Sequence, residues 1–411
     1  QTHDGNFCCD GLVFANRTLK AGSLEAKAAY QPIRTNYADN VLTVYNRLDF
    51  TNLDEYRFQY WIEVDGTKQE VFETVLAAAP HTSVKLEIPY TEATCRCGVY
   101  LNTRLYDGDR EVAHTQHRLP CTVVKPAKKP KIQLHEDDQL ICAEGENFRY
   151  DFSKHYGVFT SLIVDGVEQL ADRYTLSACR APTDNDRNIQ IRWLQLDEWQ
   201  GENLDKSSVK IYDCWLEDNT IIVSGSLSGI SRAPLLRFGQ RIEISEDGAI
   251  SVTLRGTVRQ DAIWLPRLGF EWELPGGVTD FTYYGNGPTE SYRDMCHAGY
   301  VGLHESNAEA EYVHNVRPQE HGNHTSVKTL RIGKLEFRAE DEMEINVSRY
   351  STAALLKAEH TDELIADGKT HLRIDYKVSG IGSNSCGPEL EQEYRLAEKE
   401  IRFTFSIQPM N

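Results

Sequence analysis

A chain of 411 residues exceeds one ordinary domain, and 40% hydrophobic residues with 10% aromatics are enough to build two or three cores. The formal charge of −18 argues against nucleic acid or an anionic membrane surface as a partner. No stretch of about 18 apolar residues occurs, so no membrane span is expected. Residues 1–10 are mostly polar and carry no apolar signal core, and the first residue is Gln1 rather than Met. The chain is therefore expected to begin inside a longer gene product. Ten cysteines are present, but Cys8-Cys9 and Cys95-x-Cys97 have neither the spacing of a zinc site nor that of a disulfide framework. Reduced thiols in a cytoplasmic protein are the simplest expectation.

Taken in chain order, the predicted elements are strands. Residues 41–45, 56–64, 221–227 and 401–407 alternate apolar with polar residues and are rich in β-branched and aromatic types. Asp65-Gly66, Asp107-Gly108, Asp165-Gly166, Asp247-Gly248 and Asp367-Gly368 read as hairpin tips, because glycine takes φ > 0 without strain. Helical windows are few, residues 352–360 being the best of them. The fold class expected is all-β. Residues 123–131, Val-Val-Lys-Pro-Ala-Lys-Lys-Pro-Lys, combine two prolines with four lysines and predict an extended, solvated connector. Upstream, residues 20–125 suit an immunoglobulin-like β-sandwich. Beyond a linker at 126–134, residues 135–411 suit one large antiparallel β-sandwich.

Four polar knots carry the candidate chemistry. Tyr284-Gly-Asn-Gly-Pro-Thr-Glu-Ser-Tyr-Arg-Asp294 sets Tyr283, Tyr284, Tyr292 and the ions Glu290, Arg293 and Asp294 around a backbone-defined turn. It reads either as an aromatic platform for a sugar or as a turn whose rings pack on the core. Pro318-Gln-Glu-His-Gly-Asn-His324 gathers Glu320, His321 and His324 around one glycine. It could be a metal cluster, a proton-transfer set or a self-bonded polar corner. Arg180-Ala-Pro-Thr-Asp-Asn-Asp186 reads as a buried corner of Asx turns, followed by a tract with Trp193 and Trp199 that could form a lid. Gly380-Ile-Gly-Ser-Asn-Ser-Cys-Gly-Pro-Glu-Leu390 is a loop whose backbone approaches something closely, with Cys386 lining it. A glycosidase needs two carboxylates across the scissile bond, and Glu290, Glu320 and Glu389 are the loop acids that qualify.

These segments, with Asn6-Phe-Cys-Cys-Asp-Gly-Leu-Val-Phe-Ala-Asn-Arg-Thr18 and Asn346-Val-Ser-Arg-Tyr-Ser351, occur in an order that resembles the C-terminal part of glycoside hydrolase family 2 β-galactosidases. The resemblance covers nearly the whole chain. It implies that residues 1–19 are the exit from a catalytic (β/α)8 barrel. An immunoglobulin-like domain and a large terminal sandwich of galactose mutarotase-like fold are then expected to follow. It also implies that the catalytic glutamates and magnesium ligands lie upstream, so no catalytic residue is expected in this chain and no cofactor is expected on this chain alone. The complete enzyme would use magnesium and sodium, the sodium taking a carbonyl from Phe7 and a side-chain oxygen from Asp10, where the best-known member has Asn. Asn384, Ser385 and Cys386 would line the substrate rim, Cys386 standing where that family places an aromatic. Residues 188–199 match a mobile loop beside its active site. The implied partners are a β-galactoside, the barrel part and other copies in a homo-oligomer, with no nucleic acid and no membrane. The mutarotase likeness leaves a rival open, an autonomous sugar epimerase or carbohydrate-binding module with His321, His324 and Glu320 as its acid–base set.

Overall fold

Period-2 alternation places Leu42, Val44, Phe58, Val99, Leu101 and Leu105 on the inner faces of two small sheets, where they form the first of two hydrophobic cores. The computed structural model describes residues 11–127, 129–196, 200–382 and 387–410. One sheet orders its strands Ile33–Ala38, Val41–Asn46 and Ser83–Glu87. The facing one runs Thr67–Thr74, Arg57–Val64, Val99–Asp107 and Arg110–Leu119. A short parallel ladder joins Ala93–Cys95 to Cys121–Val123.

The second core is far larger and lies between a five-stranded and a twelve-stranded antiparallel sheet. The larger sheet runs from Asp172–Ser177 through Arg267–Pro275, Lys369–Val378, Leu335–Ser348 and Glu400–Pro409. It continues through Ile250–Val258, Leu236–Ile244 and Thr220–Gly229 to Ser207–Glu217. A branch of Asn323–Ile332, Asp280–Gly287 and Tyr300–Asn307 leaves from strand Leu335–Ser348. Trp272 and Tyr174 stack at 3.8 Å, and Phe337 meets Trp272 edge-on at 5.3 Å. Such aromatic pairs stabilise a core beyond the area they bury. In the lysine-rich stretch Lys125, Pro126, Ala127, Lys129 and Pro130 are exposed, whereas Lys131 is half-buried and donates to the Thr220 hydroxyl at 2.7 Å. Among the described residues seven cysteines are present and all are free.

The all-β expectation is met, and the strands at 41–45, 56–64, 221–227 and 401–407 form where alternation places them. Two local expectations are corrected, and one helix had no sequence signal. The helix expected at 352–360 stops at Lys357, and its Ser351 side chain caps the start by accepting from the Ala354 N–H. The longest helix among the described residues, Ala21–Ala29, has no buried residue and hence no apolar stripe to betray it. Asp367-Gly368 ends a long excursion from strand Leu335–Ser348 instead of tipping a hairpin, whereas the other four Asp-Gly pairs sit between antiparallel neighbours.

Side chains on the outer face of the first unit close onto the second. The Gln116 amide accepts the Val301 N–H at 2.9 Å and donates to the Val301 carbonyl at 2.8 Å. The Tyr284 hydroxyl donates to the Gly98 carbonyl at 3.3 Å. His114 lies 4.9 Å from the Tyr300 ring, and burial, with Arg104 and Lys27 nearby, pushes its imidazole down to about 4. Gly66 has φ +82°, and a Cβ added there would collide with the Leu303 side chain and backbone. Gly108 also has positive φ, +58°, but opens on empty space. Gly66→Ala and Gly108→Ala therefore share the backbone strain, and only the first also meets the other unit. Gly66→Ala is expected to lower stability by about 1–3 kcal/mol more than Gly108→Ala in thermal or urea unfolding; equal losses would refute the contact.

Candidate functional site

The four polar knots meet at one end of the second core. Arg180 leaves strand Asp172–Ser177 through a short extended stretch and is completely buried. Its guanidinium donates to Asp186 at 2.8 Å (Oδ1) and 3.2 Å (Oδ2), to the Ser379 carbonyl at 2.6 Å and to the Gly380 carbonyl at 3.1 Å. Asp186 also accepts the Thr183 N–H at 2.9 Å, in a capping box that starts the turn Asp184–Asn188. One ion pair thus fixes the local turn and a strand end nearly 200 residues away.

The loop beginning at Ser379 is held from three sides. Asn185 donates to the Ile381 carbonyl at 2.8 Å. Asp294, the last residue of the Tyr284–Asp294 knot, accepts the Ile381 and Gly382 N–H groups at 3.0 and 2.5 Å. Gly380 and Gly382 are required here, since a Cβ at either would stand 2.5 Å from the Asp294 carboxylate. Asn384, Ser385 and Cys386 follow directly in sequence and lie outside the described residues. Phe7, Asp10 and Trp199 lie outside them as well.

The Pro318–His324 knot is internal. The Glu320 N–H donates to the Ala181 carbonyl at 3.1 Å, and Gln319 exchanges hydrogen bonds with Asp184 at 3.0 and 3.1 Å. His321 Nδ1 bonds the Gln319 carbonyl at 2.8 Å, and its ring meets Tyr312 edge-on at 5.2 Å. Burial holds the His321 imidazole below its ordinary range. His324 is completely buried, with Nε2 at 3.0 Å from Glu311 and Nδ1 at 3.0 Å from the Tyr283 hydroxyl. The two histidines and Glu320 therefore share a neighbourhood, yet each histidine is bonded to a different partner and none of the three faces open solvent. Glu320 Oε2, Tyr292 Oη and Asn323 Oδ1 are buried without a hydrogen-bond partner. Among the described residues, no group of three or more His, Cys, Asp or Glu is arranged to hold a metal.

The Tyr284–Asp294 knot turns its rings inward. Tyr283, Tyr284 and Tyr292 are buried, so the turn packs on the core and offers no aromatic platform. Its Gly287-Pro288 bond is cis. Glu290 keeps part of its surface at the rim while its carboxylate is enclosed and accepts the Gly322 N–H at 2.7 Å. Burial pushes that carboxyl up to about 7, and Glu344, bonded to Asn323 Nδ2 at 2.8 Å and the Val378 N–H at 3.1 Å, is raised to about 7 for the same reason. Glu389, by contrast, is exposed and paired with Arg395 at 3.1 Å. Trp193 is not a lid residue: it is fully buried, donating to the Trp264 carbonyl at 3.0 Å.

Sequence reasoning did not single out Arg267, Arg373, Asp375 or Glu344. Arg267 donates to Asp375 at 2.8 Å, and Arg373 donates to Thr352 at 2.8 Å and to Asn346. The available signal was charge within strands otherwise made of Leu, Ile and Val, as in Leu372-Arg-Ile-Asp375. That strand is buried on both faces, so its charges must be paired internally.

Two outcomes follow. Arg180→Ala leaves Asp186 buried without a counter-ion and should cost about 3–5 kcal/mol, whereas the double replacement Arg180→Met with Asp186→Leu should recover much of that loss; urea unfolding reads both. For Glu290, the raised value means the folded protein holds a proton that the unfolded chain releases from about pH 4.5 upward. Its contribution to stability is fully present below about pH 4.5 and is lost as pH rises towards 7. Glu290→Gln should remove that slope, gaining roughly 1 kcal/mol on the native protein between pH 5 and 7.5, and parallel pH profiles of Tm would count against it.

The family model "Beta galactosidase small chain" matches residues 144–407, and "Beta-galactosidase, domain 4" matches residues 42–120. The chain is 31% identical to a β-galactosidase of Actinobacillus pleuropneumoniae over 422 residues, covering 98% of this chain and 41% of that protein. It is 28% identical to one of Staphylococcus xylosus and 29% identical to one of Lactobacillus delbrueckii subsp. bulgaricus, each covered over 42% of its length. The chain thus spans about two fifths of the relatives it matches. Similar solved structures include a galactose 1-epimerase from Lactobacillus acidophilus NCFM, at TM-score 0.32 and 10% identity, covering 69% of this chain and 99% of that one. A GalM/aldose epimerase homologue from C. elegans reaches TM-score 0.34 at 10% identity over 66% of this chain and 99% of its own. A likeness of that degree is too weak to argue from. The small-chain model spans residues 144–407, most of the second core, and the relatives run the length of the sequence: the chain belongs to the β-galactosidase small-chain family.

Proposed function

We propose that the chain is the non-catalytic C-terminal portion, or a separate small subunit, of a retaining β-galactosidase. The complete enzyme hydrolyses terminal β-D-galactosides through a covalent glycosyl intermediate. The observation that carries this reading is the match of nearly the whole chain to only two fifths of each relative. The burial of the loop acids agrees with it. Glu320 is buried inside the knot and Glu290 is spent on the Gly322 N–H, while Glu389 is an exposed ion-paired residue.

In this reading the chain shapes the rim of the active site and the contacts between subunits. The knots at 180–186 and 284–294 act by fixing the strand end from which residues 383–386 emerge. Phe7 and Asp10 would contribute to a sodium site shared with the barrel part, and magnesium belongs to that part. Assembly as a homo-oligomer and a cytoplasmic setting are parts of the same proposal.

The test is a hydrolysis assay with a chromogenic β-galactoside. Purified chain alone should give no turnover, and addition of a fragment carrying the catalytic barrel should restore it. Turnover by the chain alone, abolished by replacing one of its own acids, would overturn the proposal. Anomer interconversion lost on His321→Ala or Glu320→Ala would favour the epimerase instead.

A further inference from the structure

The Cys95 and Cys121 thiols lie 2.7 Å apart, sulfur to sulfur, closer than two unbonded sulfurs ordinarily rest. They belong to the two strands of the short parallel ladder, Ala93–Cys95 beside Cys121–Val123, and the Val124 N–H donates to the Cys95 carbonyl at 2.8 Å. The backbones around both residues are therefore tied to each other already. Cys95 is 2% exposed, while Cys121 is partly exposed at the point where the chain enters the lysine-rich stretch. Cys121 keeps part of its surface while it packs against the first core, and Cys95 is shielded beside it. A partly exposed and a shielded cysteine share one contact, the arrangement of an attacking and a resolving cysteine.

We infer that Cys95 and Cys121 form a modification site, a dithiol that low-molecular-weight disulfides convert to an intramolecular disulfide. The Cys121 thiolate attacks one sulfur of a reagent RSSR, breaking its S–S bond and releasing RS⁻, to give Cys121–S–SR. Cys95 gives up its proton and attacks Cys121 Sγ, breaking the bond to SR and releasing the second RS⁻. Both released thiolates take up the protons that the two cysteines lost, so two protein thiols are oxidised and one RSSR becomes two RSH. The two cysteines are 26 residues apart, and the bond would close the hairpin of strands Val99–Asp107 and Arg110–Leu119 into a covalent ring.

The experiment treats the full chain with oxidised glutathione at pH 8 and maps the products by mass spectrometry after blocking free thiols. The expected result is a loss of about 2 Da, a Cys95–Cys121 cross-linked peptide, reversal by dithiothreitol, and a Tm raised by about 5 °C relative to the reduced protein. Cys95→Ser should trap glutathione on Cys121, since the resolving thiol is gone, and Cys142→Ser should behave as the native chain. A persistent glutathione adduct on Cys121 in the native chain, a cross-link through Cys97 in place of Cys95, or no reaction at Cys121 would each overturn the inference.

Discussion

The buried contact between Arg180 and Asp186 is the constraint from which the rest of this end of the molecule follows. Removing two charges from water costs several kcal/mol per ion, and the attraction between them repays this only when the remaining donors are also satisfied. Arg180 meets that condition through the carbonyls of Ser379 and Gly380, and Asp186 through the Thr183 N–H. The pair is therefore less a source of net stability than a specification. Displacing any of the three segments leaves a buried charge short of partners. The Arg267–Asp375 pair and the Arg373–Asn346 contact repeat the device one strand further in. A polar network this deep is costly when half-satisfied, and it fixes one arrangement of strand ends in consequence.

That specification explains why an end of the fold rich in loops is nonetheless well determined. The segment at 379–382 has two glycines and no side-chain hydrogen bond of its own beyond Ser379. Its position is dictated by Arg180, Asn185 and Asp294, which come from two other knots. Loops carry function when a rigid scaffold places them. Here the scaffold is electrostatic as much as hydrophobic, since Asp294 reads the backbone N–H groups of Ile381 and Gly382 directly and would collide with any side chain larger than glycine's hydrogen at 380 or 382.

Much of the fold was legible in the sequence because period-2 alternation is a local signal. The strand at 401–407 is one-faced, so each residue announces its side, whereas in 221–227 Gly225, Ser226 and Leu227 are buried in succession. Strand Lys369–Val378 is buried on both faces, and alternation there says nothing. Helix Ala21–Ala29 escaped for the opposite reason, having no buried face at all. The knots were visible as clusters of glycine, proline and Asx residues, but their partners were not. Nothing in the string links Arg180 to Ser379, because the contact is created by strand order in a twelve-stranded sheet. The inward turn of Tyr283, Tyr284 and Tyr292 was equally hidden, since aromatic composition is the same for a platform and for a core.

The contact between the two units follows from an unpaired strand. Tyr300–Asn307 pairs with Asp280–Gly287 on one side only, and its other edge would offer free N–H and C=O groups to any passing strand. Gln116 answers this at Val301 by supplying one acceptor and one donor from a side-chain amide, the same pair of bonds a neighbouring strand would make. His114, kept neutral by burial, and Trp61 cover the adjacent surface. Helix Ala21–Ala29 adds a second tie, with Lys27 3.7 Å from Glu111 of the first unit and Glu25 accepting the His297 and Ala298 N–H groups of the second. Its lack of a buried face is then consistent with its place, because the helix is held by ions at its sides and not by an apolar stripe. Edge protection and attachment are thus one interaction: the groups that prevent this strand from pairing elsewhere are the groups that fix the first sandwich against it.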